Sequence, residues 1–197
     1  MFVSVRPRPS LERPSPLSRR RVVPQREVLI EPVSAGPALA EAEALLAEFC
    51  RRLANRFADE PALAQVFLAQ PAWSLEPGLL APEYQPPTGS LLLARVHGEA
   101  IGQVAVRALP EFPGSAELRR LYVREGHRGR GIAAELLGRA IGEARRLGYR
   151  ELWLEANPRL ADAVALYLQA GFRPVPAFRP RAAELDRHYQ SFALPLT

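Results

Sequence analysis

The stretch from Ala116 to Gly171 restricts the fold most. It opens with "AELRRLYV" (Ala116–Val123), a strand, and continues into "REGHRGRGIA" (Arg124–Ala133), where no acid follows Glu125. The next segment, "GIAAELLGRAIGEARRLG", places Ile132, Leu136, Leu137, Ala140, Ile141, Ala144 and Leu147 on one helical face, with Gly148 as its stop. "YRELWLEA" reads as another strand. "NPRLADAVALYLQAG" reads as a second amphipathic helix, with Asn157 as its N-cap, Pro158 at its first position and Gly171 beyond its end. Strand, helix, strand, helix in succession demands a sheet that buries apolar helix faces.

The flanking sequence extends that sheet. "EVLIEPV" (Glu27–Val33) reads as a strand, and Pro37–Phe57 as a helix with Leu39, Leu45, Leu46, Phe49, Leu53 and Phe57 at the 3.6 period. A shorter helix opens at Pro61, and the Pro/Gly-rich "PGLLAPEYQPPTG" follows. "SLLLARV" and "AIGQVAVRAL" flank "HGEA" as a hairpin, and "FRPVPAF" and "YQSFALPL" supply two last strands. The expected order is β-α-α-β-β-β-α-β-α-β-β, an α/β (α+β) mixed sheet with helices on both faces.

Charge separates the chain into two parts. Residues 1–26 hold seven arginines and one acid, Glu12, while the rest of the chain is near neutral despite a formal net charge of +5. Residues 1–25, rich in Pro, Arg and Ser, read as an unstructured tail preceding one folded domain over 26–197. An electrostatic tail for RNA or acidic lipid is the competing reading, and "RRR" lacks the apolar stretch of a twin-arginine signal. A near-neutral body gives no reason to expect specific nucleic-acid binding. All 26 cations are arginine, which lowers the weight of any single one. The lone Cys50, in "LLAEFC", reads as a small core residue and suggests a reducing compartment. No apolar run approaches ~18 residues, so no membrane span is expected and a cytoplasmic location follows. No His/Cys/Asp cluster has metal-ligand spacing.

The glycine-rich loop at a helix start implies an anion. A helix N-terminus offers unpaired N–H groups and a positive dipole end, and glycines let a phosphate approach the backbone. Arg128 and Arg130 would add charge-assisted bonds. One such anion is a nicotinamide or flavin dinucleotide, because Gly129-x-Gly131-x-x-Ala134 satisfies the G-x-G-x-x-G/A fingerprint and Glu155 ends the next strand. Against it, five residues separate Val123 from Gly129, and three strands precede this one without crossover helices. No G-K-[ST] exists, so a Walker A loop is excluded.

"ELRRLYVREGHRGRGIAAELL" resembles the cofactor motif of the Gcn5-related N-acetyltransferase (GNAT) superfamily. Val123 and Arg128-Gly129 match its V-x-x-x-x-R-G step, and Arg128, Gly131 and Ala133 match its R/Q-x-x-G-x-G/A loop. "ALYLQAGFRPV" is similar to a second signature of that superfamily. The resemblance runs from about Glu27 to Leu196. "YQPPTGSLLLARVHGEAIGQVAVRAL" further resembles a bacterial subgroup of small members. Ala156 stands where that subgroup often has Thr, and Ala133 where Gly is commoner.

The resemblance implies a three-layer αβα domain around a mixed, mostly antiparallel sheet of about six to seven strands. It implies acetyl-CoA as co-substrate, with no metal. The pyrophosphate would sit on Arg128, Gly129, Arg130, Gly131, Ile132 and Ala133, and the pantetheine arm along Leu121, Tyr122 and Val123, where a bulge often opens the strand. It implies direct transfer of an acetyl group to a primary amine, with the Val123 N–H as oxyanion donor and Tyr167 as acid for the departing thiolate. A carboxylate at Glu117 matches the position of a base in some members; burial would raise its pKa toward neutrality. The competing role is a structural ion pair with Arg119 or Arg107. A small amine or amino acid is the expected acceptor, a protein amine the runner-up, and a homodimer is compatible with the resemblance. The other functional reading is a non-catalytic acyl-CoA-binding module.

Overall fold

The computed structural model of the chain describes residues 28–69 and 79–196. The predicted tail, residues 1–25, and part of the Pro/Gly-rich segment lie outside the described residues. The elements are β1 (Val28–Val33), α1 (Pro37–Arg56), α2 (Pro61–Leu68), β2 (Ser90–Val96), β3 (Glu99–Ala108), β4 (Ser115–Val123), α3 (Ile132–Arg146), β5 (Glu151–Ala156), α4 (Ala161–Gln169), β6 (Arg173–Val175), α5 (Ala183–Asp186) and β7 (Gln190–Pro195). The seven strands form one sheet in the order β1-β2-β3-β4-β5-β7-β6. Only the β4–β5 pair is parallel. A doubly wound dinucleotide fold needs repeated parallel βαβ units, so this topology rules that reading out.

Both faces are covered. One core joins α3 and α4 to the sheet through Leu136, Leu137, Ala140 and Tyr167 against Val104, Leu118, Leu152 and Phe192. The opposite core packs Leu39, Leu45, Leu46 and Cys50 of α1 against Leu91, Leu93, Ala105 and Tyr122. Strand alternation produces both: within β3, Val104 and Val106 face α3 while Ala105 faces α1. Phe57 and Leu63 join α1 to α2 in a smaller cluster that also touches Leu160 and Tyr189.

One boundary and one added element differ from expectation. α4 begins at Ala161 with Leu160 at the N-cap, rather than at Asn157. The Asn157 carboxamide oxygen instead accepts from the Arg159 N–H at 2.9 Å, capping a separate turn, and Leu160 (φ −90°, ψ 61°) interposes a non-helical residue. The four-residue α5, too short to show any periodicity, joins β6 to β7. Among the described residues no helix is long and apolar enough to cross a membrane.

Candidate active site

A bulge in β4 creates the site. Gln103 of β3 pairs with Tyr122 and Ala105 with Arg119, so Val104 alone faces both Arg120 and Leu121. Arg120 takes up the extra residue in a left-handed conformation, φ 56°, a strained choice for a residue with a Cβ. β4 pairs with β5 only from Ser115 to Glu117, and past that point the two strands diverge. Beside the freed end of β4 lies a cleft of about 690 Å³, walled also by α1, α3 and α4, whose lining includes Leu121, Tyr122, Val123, Arg128, Gly129, Gly131, Ile132 and Ala133. Of the nine residues expected to hold the cofactor, only Arg130 falls outside that lining; it is exposed.

The loop at the cleft mouth has the geometry its glycines foretold. Gly129 and Gly131 have φ of 72° and 82°, where a Cβ is strained, and nothing lies within 4 Å of where a Cβ would project. Gly131 is the N-cap of α3 and supplies no side chain to the first-turn amides. The Arg128 Nε donates to the Val123 carbonyl at 2.9 Å, and its guanidinium lies 5.8 Å from the centre of the Tyr122 ring. Arg128 therefore fastens the loop to the end of β4. Glu48 of α1 accepts from the Tyr122 hydroxyl at 2.5 Å and from the Arg124 Nε at 2.9 Å, holding the other side of that strand end. His127 also lines the cleft, and its Nδ1 is buried with no hydrogen-bond partner among the described residues.

A second pocket of about 290 Å³ adjoins the cleft, and Phe49, Leu53, Leu121, Leu160 and Ala163 form part of both walls. Glu117 and Tyr167 line this second pocket. Glu117 is 3% exposed. It accepts from Arg179 at 2.6 and 2.8 Å, from Arg107 at 2.9 Å and from Arg119 at 3.4 Å. Burial pushes its carboxyl up, but the Arg179 hydrogen bond and the charges of Arg119, Arg107 and Arg179 outweigh that and hold it at about 2. The expected rise toward neutrality is thus reversed, because burial here comes with three guanidinium partners. Tyr167 is buried on Phe172 and Phe192, with ring centroids 5.9 and 6.4 Å away, and burial pushes its hydroxyl up to about 12.

Arg179 and Arg181, both on the β6–β7 connection, were not anticipated. Arg181 bonds Glu155 and lies 4.3 Å from the centre of the Tyr189 ring. Their carboxylate partners are 62 and 26 residues away in sequence, and neither arginine belongs to a motif. Glu155, the expected ribose ligand of the dinucleotide reading, is committed to this network. Cys50 is buried as expected; it also lines the second pocket, and burial raises its thiol despite the opposing charge of Arg120. His188 is buried and lies 2.7 Å from a Glu60 oxygen, a tie between α2 and the C-terminal segment that the sequence did not signal. Among the described residues no group of three or more His, Cys, Asp or Glu could hold a metal ion.

These features coincide with a known family. Residues 48–172 match the model of the Acetyltransferase (GNAT) family, and the chain belongs to that family. An uncharacterized N-acetyltransferase of Schizosaccharomyces pombe is 40% identical over 92 residues, which cover 46% of this chain and 56% of that protein. The IAA acetyltransferase of Azospirillum brasilense is 36% identical over 89 residues, covering 45% and 58%. The chain thus spans a little over half the length of these curated relatives. Among solved structures, a candidate acyl-CoA N-acyltransferase of Klebsiella pneumoniae matches with a TM-score of 0.62 and 26% identity, covering 86% of this chain and 98% of its own. A candidate acetyltransferase of Salmonella typhimurium, solved with its cofactor acetyl-CoA, has the same fold at a TM-score of 0.58 and 17% identity, covering 87% and 95%.

Proposed function

We propose that the chain is an acetyl-CoA-dependent N-acetyltransferase that passes an acetyl group directly to a primary amine. The observation that carries this reading is the cleft beside the freed end of β4: it runs along Leu121–Val123 and ends on the uncapped first turn of α3. The residues suit the co-substrate. Gly129 and Gly131 leave room for a pyrophosphate at the α3 amides. Beyond Glu117 the edge of β4 is no longer paired with β5 and offers main-chain groups to an extended amide-containing arm. Arg128 keeps the loop and the strand end in fixed relation, and Arg130 lies close enough in sequence to add charge at the rim.

In this reading the Val123 N–H stabilises the developing oxyanion, and Tyr167 protonates the departing thiolate. The high proton affinity of Tyr167 suits a donor that must stay protonated at neutral pH. For Glu117 the ion-pair role is the better supported of the two. A carboxylate held at about 2 by three arginines takes a proton poorly, so the ammonium proton leaves to water. The same observation supports a second reading, a module that holds acyl-CoA without turning it over. The acceptor is a small amine or amino acid, with a protein amine as runner-up, because the second pocket is small. Thiol release from acetyl-CoA in the presence of an amine panel, with calorimetric titration of CoA, tests both readings. Turnover supports the enzyme, CoA binding without turnover of any amine supports the module, and tight binding of NADH without CoA refutes both.

A further inference from the structure

The second pocket is rich in hydrogen-bond donors. Its lining holds four arginines, Arg119, Arg120, Arg179 and Arg181, against two carboxylates, Glu117 and Glu155. Both carboxylates are already engaged: Glu117 by Arg179, Arg107 and Arg119, and Glu155 by Arg181 and the Ser191 hydroxyl. Two donors are not. The Nη1 of Arg181 and the Nδ2 of Asn157 are buried with no hydrogen-bond partner among the described residues. Asn157 is 5% exposed, and its carboxamide orientation is set by the Arg159 N–H that its oxygen accepts. The Asp186 carboxylate lies 3.9 Å from Arg181 Nη1, beyond hydrogen-bonding range. Further acids, Glu83, Glu111 and Asp186, balance the arginines only from the outside, with side chains 49%, 42% and 53% exposed, where solvent screens them.

Buried donors without acceptors are unfavourable and point to what should fill the space. A bare ammonium-bearing amine would add positive charge to an interior that already has an excess and would leave both donors unmet. An oxyanion would meet them and offset the charge.

Resting on the acetyltransferase reading above, we propose that the acceptor is an α-amino acid, whose carboxylate is held by Arg181 and Asn157 while its amine points toward the Leu121 junction with the cofactor cleft. Glu117 and Arg179 take part as positioning residues: the buried ion pair anchors the segment that carries Arg181. The preference is double-sided, because the same arginines that attract the carboxylate disfavour its decarboxylated analogue.

The test compares matched ligands with the native protein. Each α-amino acid of the standard twenty is set against its α-amide and, where one exists as a simple amine, its decarboxylated form. Thiol release from acetyl-CoA and calorimetric titration into the protein–CoA complex are both read. The expected result is that at least one amino acid exceeds its amide and its amine by ~10-fold or more in kcat/KM or in affinity, a difference of about 1.4 kcal/mol. Arg181→Gln should erase that preference while leaving CoA affinity unchanged; should this variant not fold, the matched pairs with the native protein decide alone. Equal treatment of the pairs, preference for the amines or amides, or binding of no amino acid to a protein that does bind CoA overturns the proposal and leaves the acetyltransferase reading standing. Failure of CoA itself to bind removes that reading and this one together.

Discussion

Replacing Glu117 by Gln separates an ion-pair member from a base. The native carboxyl is held at about 2 against an ordinary value of 4.5. That difference corresponds to about 3 kcal/mol of native-state stabilisation at neutral pH. Gln keeps the shape but removes the anion, leaving Arg107, Arg119 and Arg179 facing one another in a buried setting. Breaking one side of such a cluster typically costs about 3–5 kcal/mol. For a domain of this size that is a fall in Tm of roughly 6–20 °C. The pH dependence carries the sign. A group whose folded pKa is depressed stabilises the fold above its unfolded pKa, and the contribution is lost as pH falls through the folded value. The stability gap between native protein and Glu117→Gln should thus be full above about pH 5 and shrink by ~1.4 kcal/mol per pH unit between roughly 4.5 and 2. Taking the difference between the two proteins cancels other depressed carboxyls such as Glu41 and Glu48. Urea unfolding at several pH values gives the gap, and turnover on the folded variant gives the role. A variant as stable as the native protein but slower by ~10²-fold or more would refute the ion-pair reasoning and restore Glu117 as base.

Other substitutions test the cleft and the acid. Gly131→Glu places a side chain and a negative charge at φ 82° where a pyrophosphate should approach, and should weaken CoA binding by at least ~10-fold with the fold retained; calorimetry reads this, and unchanged affinity would move the phosphate site elsewhere. Tyr167→Phe keeps the ring packed on Phe172 and Phe192, so Tm should hold within a few degrees while turnover drops roughly 10²-fold at constant CoA affinity. Because the Tyr167 hydroxyl titrates near 12, the native rate should show no loss from its ionisation below about pH 11, which a pH–rate profile checks. Arg128→Ala removes the bond to the Val123 carbonyl and should weaken CoA binding more than Arg130→Ala does, since Arg130 does not line the cleft; equal losses would count against the latch.

What the sequence disclosed followed from how local each signal is. The helix faces of α1 and α3 and the β2–β3 hairpin were legible because burial imposes its period on neighbouring residues. The glycine loop was legible because two left-handed positions before a helix leave few residue choices. The start of α4 was misplaced because Asn157 and Pro158 carry the marks of a helix start but cap a turn that ends at Leu160. Arg179 and Arg181 were invisible for a different reason. In a chain whose every cation is arginine, no single arginine stands out, and their partners Glu117 and Glu155 are brought near only by the fold. The reversed proton affinity of Glu117 follows from the same blindness: burial could be foreseen at the start of an interior strand, the third guanidinium could not.

The bulge at Arg120 ties these observations together. Before it, Ala116 and Leu118 face the α3 core, so Glu117 and Arg119 face α1. In a regular strand the same alternation would turn Tyr122 toward α3 and Val123 toward α1. One extra residue inverts the parity: Tyr122 joins the α1 core and reaches Glu48, while Val123 packs toward α3. The inversion lets a single strand serve two pockets. Glu117 and Arg119 belong to the charged one, Tyr122 and Val123 to the cleft that ends on α3, and Leu121, at the bulge itself, is shared by both. The strained backbone of Arg120 is therefore placed where the two pockets meet, and the strain is held there by pairing with β3 on either side and by Glu48 and Arg128 at the strand's end.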